Sequence, residues 1–376
     1  MYAVTAFLLK VLHTILSSLF PRKRQIILLS RQSNHASLDF SLLKDCLKKH
    51  MPDWDIAESF HSRQTLPSIV RDVFLVATSR VCILDGYSPA VSIPKIGHEL
   101  LVIQLWHALG AIKRFGWQAV GLKSGRPENM AKSLSMHANY SAVIAAGEGC
   151  IPAYMEAFRC SHKAVVALGL PRMDYLLDLN KPALHSPDVD SLLKDSGQTA
   201  EKTSILYVPT FRERQNDAVA IETCLTQLTT FLPTDRYSLI VSTHPFSSDF
   251  KVIDNHNRGI SSPQIQSIDL LHHVDYVITD YSAITFEAAL VQKKVLFYVP
   301  DIDTYRATPG LNIDVEEEFP LISFRSAEAL ARFVNQDLID DSYRSSGFWE
   351  YCDNYLIKNP SGSTERIVRY IKDRVI

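Results

Sequence analysis

After residue 24, apolar residues fall in short unbroken runs separated by stretches of helical spacing. The runs at 25–30, 81–85, 101–106, 142–146 and 164–168 are continuous in Val, Ile, Leu and Ala rather than alternating. That is the pattern of parallel strands covered on both faces. Segments such as 38–50 and 152–159 read as the helices between them, so a doubly wound α/β domain is predicted. The pattern lapses from 181 to 203, where Lys181-Pro182, Ser186-Pro187 and Ser196-Gly197 punctuate a linker with one helical turn near 188–194. It resumes with strands at 205–208, 238–242, 276–279 and 295–299 and helices near 221–231 and 284–292. No repeat of 20–50 residues is visible. The expected layout is a helix over 1–24, an α/β domain over 25–180, a linker over 181–203, a second α/β domain over 204–348 and a helical, amphipathic tail over 349–376. Two such domains are expected to face a cleft with the carboxyl ends of their strands.

The first twenty residues, MYAVTAFLLKVLHTILSSLF, are apolar and are followed by Pro21, Arg22, Lys23 and Arg24. A secretory signal carries its charges before the apolar run and a small-residue cleavage site after it; this segment does neither. Lys10, His13, Thr14 and Ser17 share one helical face, and Lys10 sits near the middle of a run barely long enough to span a bilayer. A helix lying in the interface, held to anionic lipid by the basic cluster, fits better. The first 38 residues carry five basic and no acidic side chains, in keeping with that reading. The competing reading packs this helix on the protein's own core.

Composition narrows the class. At about 100–200 residues per domain, 376 residues make two. With 46% hydrophobic and 21% charged residues, the chain is neither largely disordered nor collagen-like nor a coiled coil. Its 39 basic and 41 acidic residues, a net charge of -2, leave no global field for nucleic acid. The cysteines, Cys46, Cys82, Cys150, Cys160, Cys224 and Cys352, form neither CxxC pairs nor zinc-ligand spacings with histidines. A core of this size does not need disulfides, so reduced thiols and a cytoplasmic setting are expected.

Candidate chemistry follows the strands. The run at 101–106 leads into Trp106-His107-Ala108-Leu109-Gly110 and then Lys113 and Arg114. A histidine at a strand end, with an ordinary pKa of roughly 6.5, suits proton transfer. A core histidine bonded to backbone is the plainer alternative. His244-Pro245 repeats the layout, and Thr210 and Arg212 offer a hydroxyl and a guanidinium to a phosphate. Thr279-Asp280-Tyr281-Ser282 lies between a strand and a helix, with Ser282 read as N-cap and the following amides as an anion site. Glu287, one turn on, could accept from ribose hydroxyls; simple helix capping is the plainer reading of the quartet. No carboxylates stand at metal-ligand spacing, and Glu316-Glu317-Glu318 reads as a solvated face.

Taken together, LWHALGAIKRFG, LGLPRMDYL, YVPTFRE, STHPF, ITDYSAITFEAAL and VLFYVPDIDTYRATPGLNIDVEEEFP resemble the CDP-glycerol glycerophosphotransferase family of teichoic-acid polymerases and primases. The resemblance covers about residues 101–320. It implies a GT-B-like fold of two doubly wound, Rossmann-like domains. It also implies a peripheral protein at the cytoplasmic face of the membrane that moves a polyol phosphate from a CDP-activated donor. The family's Trp-His and His-Pro motifs resemble Trp106-His107 and His244-Pro245, which implies that both histidines serve activity. Its Thr-Asp-Tyr-Ser segment resembles Thr279, Asp280, Tyr281 and Ser282, which implies donor binding. Two positions depart: Ala108 where the family usually has glycine, and Ala283 where a second serine often follows.

The expected partners are CDP-glycerol or CDP-ribitol, a lipid-linked glycan acceptor and an anionic membrane surface, with no cofactor and no metal. His107 is the expected base, while His244, Thr210 and Arg212 neutralise the donor phosphates. Lys113 and Arg114 steer the acceptor or lipid headgroups. The rivals are a nucleotide-sugar glycosyltransferase of the same fold and a non-catalytic membrane adaptor.

Overall fold

The computed structural model describes residues 2–179, 187–210, 217–242, 259–260 and 265–375. By their internal contacts they form two units. The first is Met1–Tyr175 with Thr308–Gly310 and Asn354–Ile376; the second is Leu176–Ala307 with Leu311–Asp353.

In the first unit, β1 (Gln25–Ser30), β2 (Asp55–Phe60), β3 (Val81–Leu84), β4 (Leu101–Gln104), β5 (Ala142–Ala145) and β6 (Val165–Ala167) form one sheet in the order β2-β1-β3-β4-β5-β6. All pairs are parallel, with Ile26 opposite both Ile56 and Val81. The buried runs of β1, β3 and β5 explain why their sequences are continuously apolar. The sequence reading missed β2, whose Asp55-Ile56-Ala57-Glu58-Ser59-Phe60 is mostly part-exposed at the sheet edge and so is not uniformly apolar. The strand order reverses direction between β1 and β3, and the crevice beyond the carboxyl ends of such a pair is where open α/β sheets take ligands.

Three helices matter most here: α1 (Tyr2–Leu19), α2 (Leu38–His50) and α3 (Leu66–Thr78). α1 packs on α3, with Ala6, Leu9 and His13 buried and Phe20 edge-on to Phe74 at 5.4 Å. The polar stripe expected on α1 is therefore corrected: His13 faces the core, where burial and then the Arg22 charge lower its pKa. Arg22 is also drawn inward, donating from Nη1 to the carbonyls of Val76 and Ser79 at 3.0 and 2.5 Å. Facing outward are Val4, Phe7, Leu8, Val11, Ile15 and Leu19, and the α3 residues Leu66 and Val70 are exposed as well. At the other end of the chain, the helix Ser363–Val375 packs on α2. Asp174 caps its start, accepting from the backbone of Gly362, Ser363 and Thr364 and from the Thr364 hydroxyl.

In the second unit, β7 (Thr203–Val208), β8 (Tyr237–Val241), β9 (Gly259–Ile260), β10 (Tyr276–Thr279), β11 (Lys294–Tyr298) and β12 (Ser323–Phe324) form a second parallel sheet in the order β12-β11-β10-β7-β8-β9. Its reversal lies between β7 and β10, where Ile205 opposes Tyr276. The turn expected near 188–194 is a full helix, Pro187–Asp195.

Candidate functional site

The loops that leave β1, β3, β4 and β6 bring one group of polar residues together in the first unit. Leu105 continues the ladder by donating to the Leu84 carbonyl, and then Trp106 takes a left-handed φ of 58°. A bulky residue seldom adopts that conformation, which costs on the order of 1–3 kcal/mol and persists only where neighbours enforce it. Here the buried Gln104 does so: its Oε1 accepts from the Trp106 amide at 2.8 Å while its Nε2 donates to the Gly86 carbonyl at 3.0 Å. The Trp106 ring stacks on Phe115, with centroids 4.7 Å apart, and holds His107 at 4.1 Å.

His107 keeps an exposed face, and its Nδ1 lies 2.9 Å from the Asp85 carbonyl oxygen. A carbonyl can only accept, so Nδ1 carries the proton and Nε2 keeps the lone pair. The protein packed around the ring disfavours imidazolium; Arg172 and Lys113 add to this against the Asp85 carbonyl and Asp39, and the pKa falls to about 4. The lowered pKa and the Nδ1 bond act in the same direction, holding the ring neutral with its Nε2 lone pair able to take a proton.

Asp85 itself is buried. Its Oδ2 accepts from the Ser30 hydroxyl at 2.9 Å, Oδ1 has no hydrogen-bond partner, and burial pushes its pKa up to about 7. Beside it Asp39 holds Arg172 through the backbone amide at 2.8 Å and the guanidinium at 2.9 and 2.5 Å. Lys113 is half-buried. Arg114 is exposed, and its amide donates to the Gly310 carbonyl at 3.0 Å.

In the second unit the carboxyl ends of β7 and β10 are tied by the Asp280 carboxylate. Asp280 accepts from the Thr210 amide at 2.9 Å, the Thr210 hydroxyl at 2.5 Å and the Tyr281 amide at 2.6 Å. Thr279 donates to the Val208 carbonyl at 2.7 Å. Thr210, Thr279 and Asp280 are thus brought together as a buried brace between two strand ends. Tyr281 stacks on Tyr305 at 3.8 Å and donates to Asp301 at 3.1 Å.

The Ser282 cap is corrected. The helix is the seven-residue Ile284–Leu290, and Ala283 holds the cap position without a side-chain bond. The Ser282 Oγ lies 3.5 Å from the Ile284 amide, at the limit of a hydrogen bond, while its carbonyl accepts from the Thr285 hydroxyl at 2.8 Å. Glu287 is only 3% exposed. Glu316 pairs with Arg325 at 2.6 Å and Arg306 at 3.1 Å, so this acid belongs to a surface charge network. His244 and Arg212 lie outside the described residues.

A family model described as CDP-Glycerol:Poly(glycerophosphate) glycerophosphotransferase matches residues 11–373. The chain belongs to this family. A glycerophosphotransferase-family chain is a phosphotransferase, and its relatives agree. It is 28% identical over 309 residues to the teichoic acid ribitol-phosphate primase of Bacillus spizizenii, covering 80% of this chain and 76% of the relative. It is also 28% identical over 306 residues to the teichoic acid glycerol-phosphate primase of the same organism, covering 80% and 78%. Among solved structures, a variant of the wall teichoic acid polymerase TagF soaked with CDPG superposes with a TM-score of 0.73 at 17% identity, covering 99% of this chain and 98% of that one. The fold is accordingly α/β and GT-B-like, with an apolar N-terminal helix.

Within this glycerophosphotransferase, the sequence pointed to His107 as a candidate but not to the residues that hold it. Asp85 closes the apolar run of β3 as an Asp-Gly pair, a turn signal at a strand's carboxyl end that deserved the weight given to the histidine. Arg172 stands inside the quoted LGLPRMDYL motif. Gln104 was hidden as the polar end of a buried strand. Of the two departures from the family pattern, Ala108 is buried with its carbonyl accepting from Tyr154 at 3.1 Å, and Ala283 leaves the short helix without a side-chain cap.

Proposed function

We propose that the protein transfers a polyol phosphate from a CDP-activated donor to a hydroxyl of a lipid-linked wall-polymer acceptor at the cytoplasmic face of the membrane. The acceptor oxygen attacks the donor's β-phosphorus, the bond to the bridging oxygen breaks, CMP leaves, and His107 Nε2 takes the hydroxyl proton. The observation that carries this reading is the Asp85 carbonyl on Nδ1, which supports a neutral, correctly oriented base. The family description favours CDP-glycerol, whereas the ribitol-phosphate relative keeps CDP-ribitol in play.

Phosphoryl transfer asks for positioning and charge neutralisation more than covalent chemistry. That work is assigned to His244, Thr210, Arg212 and the segment Thr279 to Ser282, with Glu287 behind it and Lys113 and Arg114 steering the acceptor. Thr210 and Asp280, bonded to each other, act by holding the two strand-end loops in register. The exposed apolar face of α1, continued by Leu66 and Val70, supports peripheral docking on lipid, with the exposed Lys10, Lys23 and Arg24 drawn to anionic headgroups.

The test is to incubate the protein with a lipid-linked acceptor and, separately, CDP-glycerol, CDP-ribitol and UDP-sugars. CMP release with growth of the acceptor by one polyol phosphate is expected for a CDP-polyol. UDP release with a glycosylated product would establish the glycosyltransferase reading instead, and no turnover with any donor would favour the adaptor.

A further inference from the structure

Two arginines of the first unit stand beside the reversal of its sheet with no direct ion pair among the described residues. Arg31 directly follows β1, and Tyr87 follows β3 two residues after Asp85. Arg126 lies over the Tyr87 ring, 4.7 Å from its centroid. Arg31 and Arg126 are both half-buried, and the Arg31 Nε is fully buried with no hydrogen-bond partner. Among the described residues neither guanidinium makes an ion pair. Asp72 of α3 attracts Arg31 but makes no ion pair with it: its carboxylate accepts from Ser59 at 2.5 Å and Gln64 at 3.4 Å, and burial raises its pKa. Parallel pairing of β1 with β3 sets the loop that carries Arg31 beside the loop that carries Tyr87, the ring under Arg126; burial and then the charge of Arg126 lower the Arg31 pKa, with Tyr87 and Asp72 opposing them.

Desolvating one guanidinium and setting a second beside it is unfavourable unless an anion enters. A forked guanidinium matches the oxygens of a phosphate, which can accept from it in a bidentate fashion. The place is also the crevice at a strand-order reversal, next to the loop that positions His107. We propose that Arg31 and Arg126 form a binding site for the phosphate group of the acceptor. This rests on reading the protein as a polyol-phosphate transferase. The site thereby selects a phosphate-bearing acceptor over a neutral glycan. A lipid headgroup carries the same phosphate chemistry, and the experiment separates the two sources.

Full-length wild type, Arg31→Gln, Arg126→Gln and Arg31→Lys are compared in four measurements. These are calorimetric titration with inorganic phosphate, acceptor KM at saturating CDP-polyol, donor affinity, and co-sedimentation with phosphatidylglycerol or phosphatidylcholine vesicles. Loss of a charge-assisted pair predicts a rise of about 10- to 100-fold in both the phosphate Kd and the acceptor KM for the Gln variants. Donor affinity and vesicle binding stay at wild-type levels. Arg31→Lys, which keeps the charge and loses the fork, falls between. In wild type, inorganic phosphate competes with the acceptor and not with the donor.

Unchanged phosphate Kd and acceptor KM in folded variants overturns the site. Loss of phosphatidylglycerol binding with acceptor KM unchanged overturns the acceptor as the source. Should the Gln variants not fold, the Lys variant and the wild-type competition decide, and competition with the donor alone refutes the proposal. If no CDP-polyol is turned over, the transferase reading fails separately, while the phosphate titration still judges the arginine pair.

Discussion

The pH dependence of turnover is the sharpest consequence of how His107 is held. A free histidine of pKa roughly 6.5 is about three-quarters protonated at pH 6, so a base of that kind gives a kcat/KM at pH 6 only about a quarter of its value at pH 8. With the pKa lowered to about 4, about 1% is protonated at pH 6, and the His107 limb moves below the range of ordinary assays. The sign follows from which form acts. Neutral imidazole is the active base, so activity falls only as pH drops through the folded pKa.

Asp85 complicates the neutral region, because its own carboxyl titrates at about 7 and its carbonyl orients the ring. Asp85→Asn keeps that carbonyl and removes the titration. The measurement is CMP release from a CDP-polyol with lipid-linked acceptor between pH 5 and 8, for wild type and Asp85→Asn. In Asp85→Asn the profile is expected to be flat down to about pH 5.5, and any limb near 7 seen in wild type is expected to vanish. His107→Gln is expected to lose about 10²–10⁴-fold in turnover, or roughly 3–5 kcal/mol of barrier, with donor affinity intact. A limb near pH 6.5 that survives in Asp85→Asn would refute the shielded, tautomer-fixed ring, and a His107→Gln enzyme with wild-type turnover would refute the base.

Two further outcomes follow from the packing. Thr210→Val removes the hydroxyl that Asp280 accepts at 2.5 Å and leaves a buried carboxylate short of a donor. Chemical denaturation should show a loss of about 1–3 kcal/mol, and titration a weaker CDP affinity; a variant unchanged in both would remove the brace from the donor site. Phe7→Glu with Leu8→Glu replaces two outward apolar residues of α1, each contributing about 1.5–3 kcal/mol when buried in lipid. Co-sedimentation with anionic vesicles should drop at least about 100-fold while CDP affinity holds, and undiminished vesicle binding would move the membrane contact off this face.

The amino-acid sequence by itself determined the two α/β units, because buried parallel strands must be apolar on both faces and β1, β3, β5, β10 and β11 therefore announce themselves. It also determined which residues stand at strand ends, and with them His107 and the Thr279 to Ser282 segment. The edge strand β2 stayed hidden because its side chains are only partly covered and carry no such constraint. The orientation of α1 was likewise not written in its periodicity: both a polar stripe and an apolar face were available, and only packing against α3 turned His13 inward and left Phe7 and Leu8 outside. Partnerships between distant residues belong to the tertiary structure alone. Asp85 reaches His107 across 22 positions and Asp280 reaches Thr210 across 70, because parallel strands bring together loops that lie a whole crossover apart in the chain. Charge balance is settled at the same level. Asp39 meets Arg172 across 133 positions, and Arg31 and Arg126 come to stand half-buried at the β1 and β3 loop ends only once the sheet is formed.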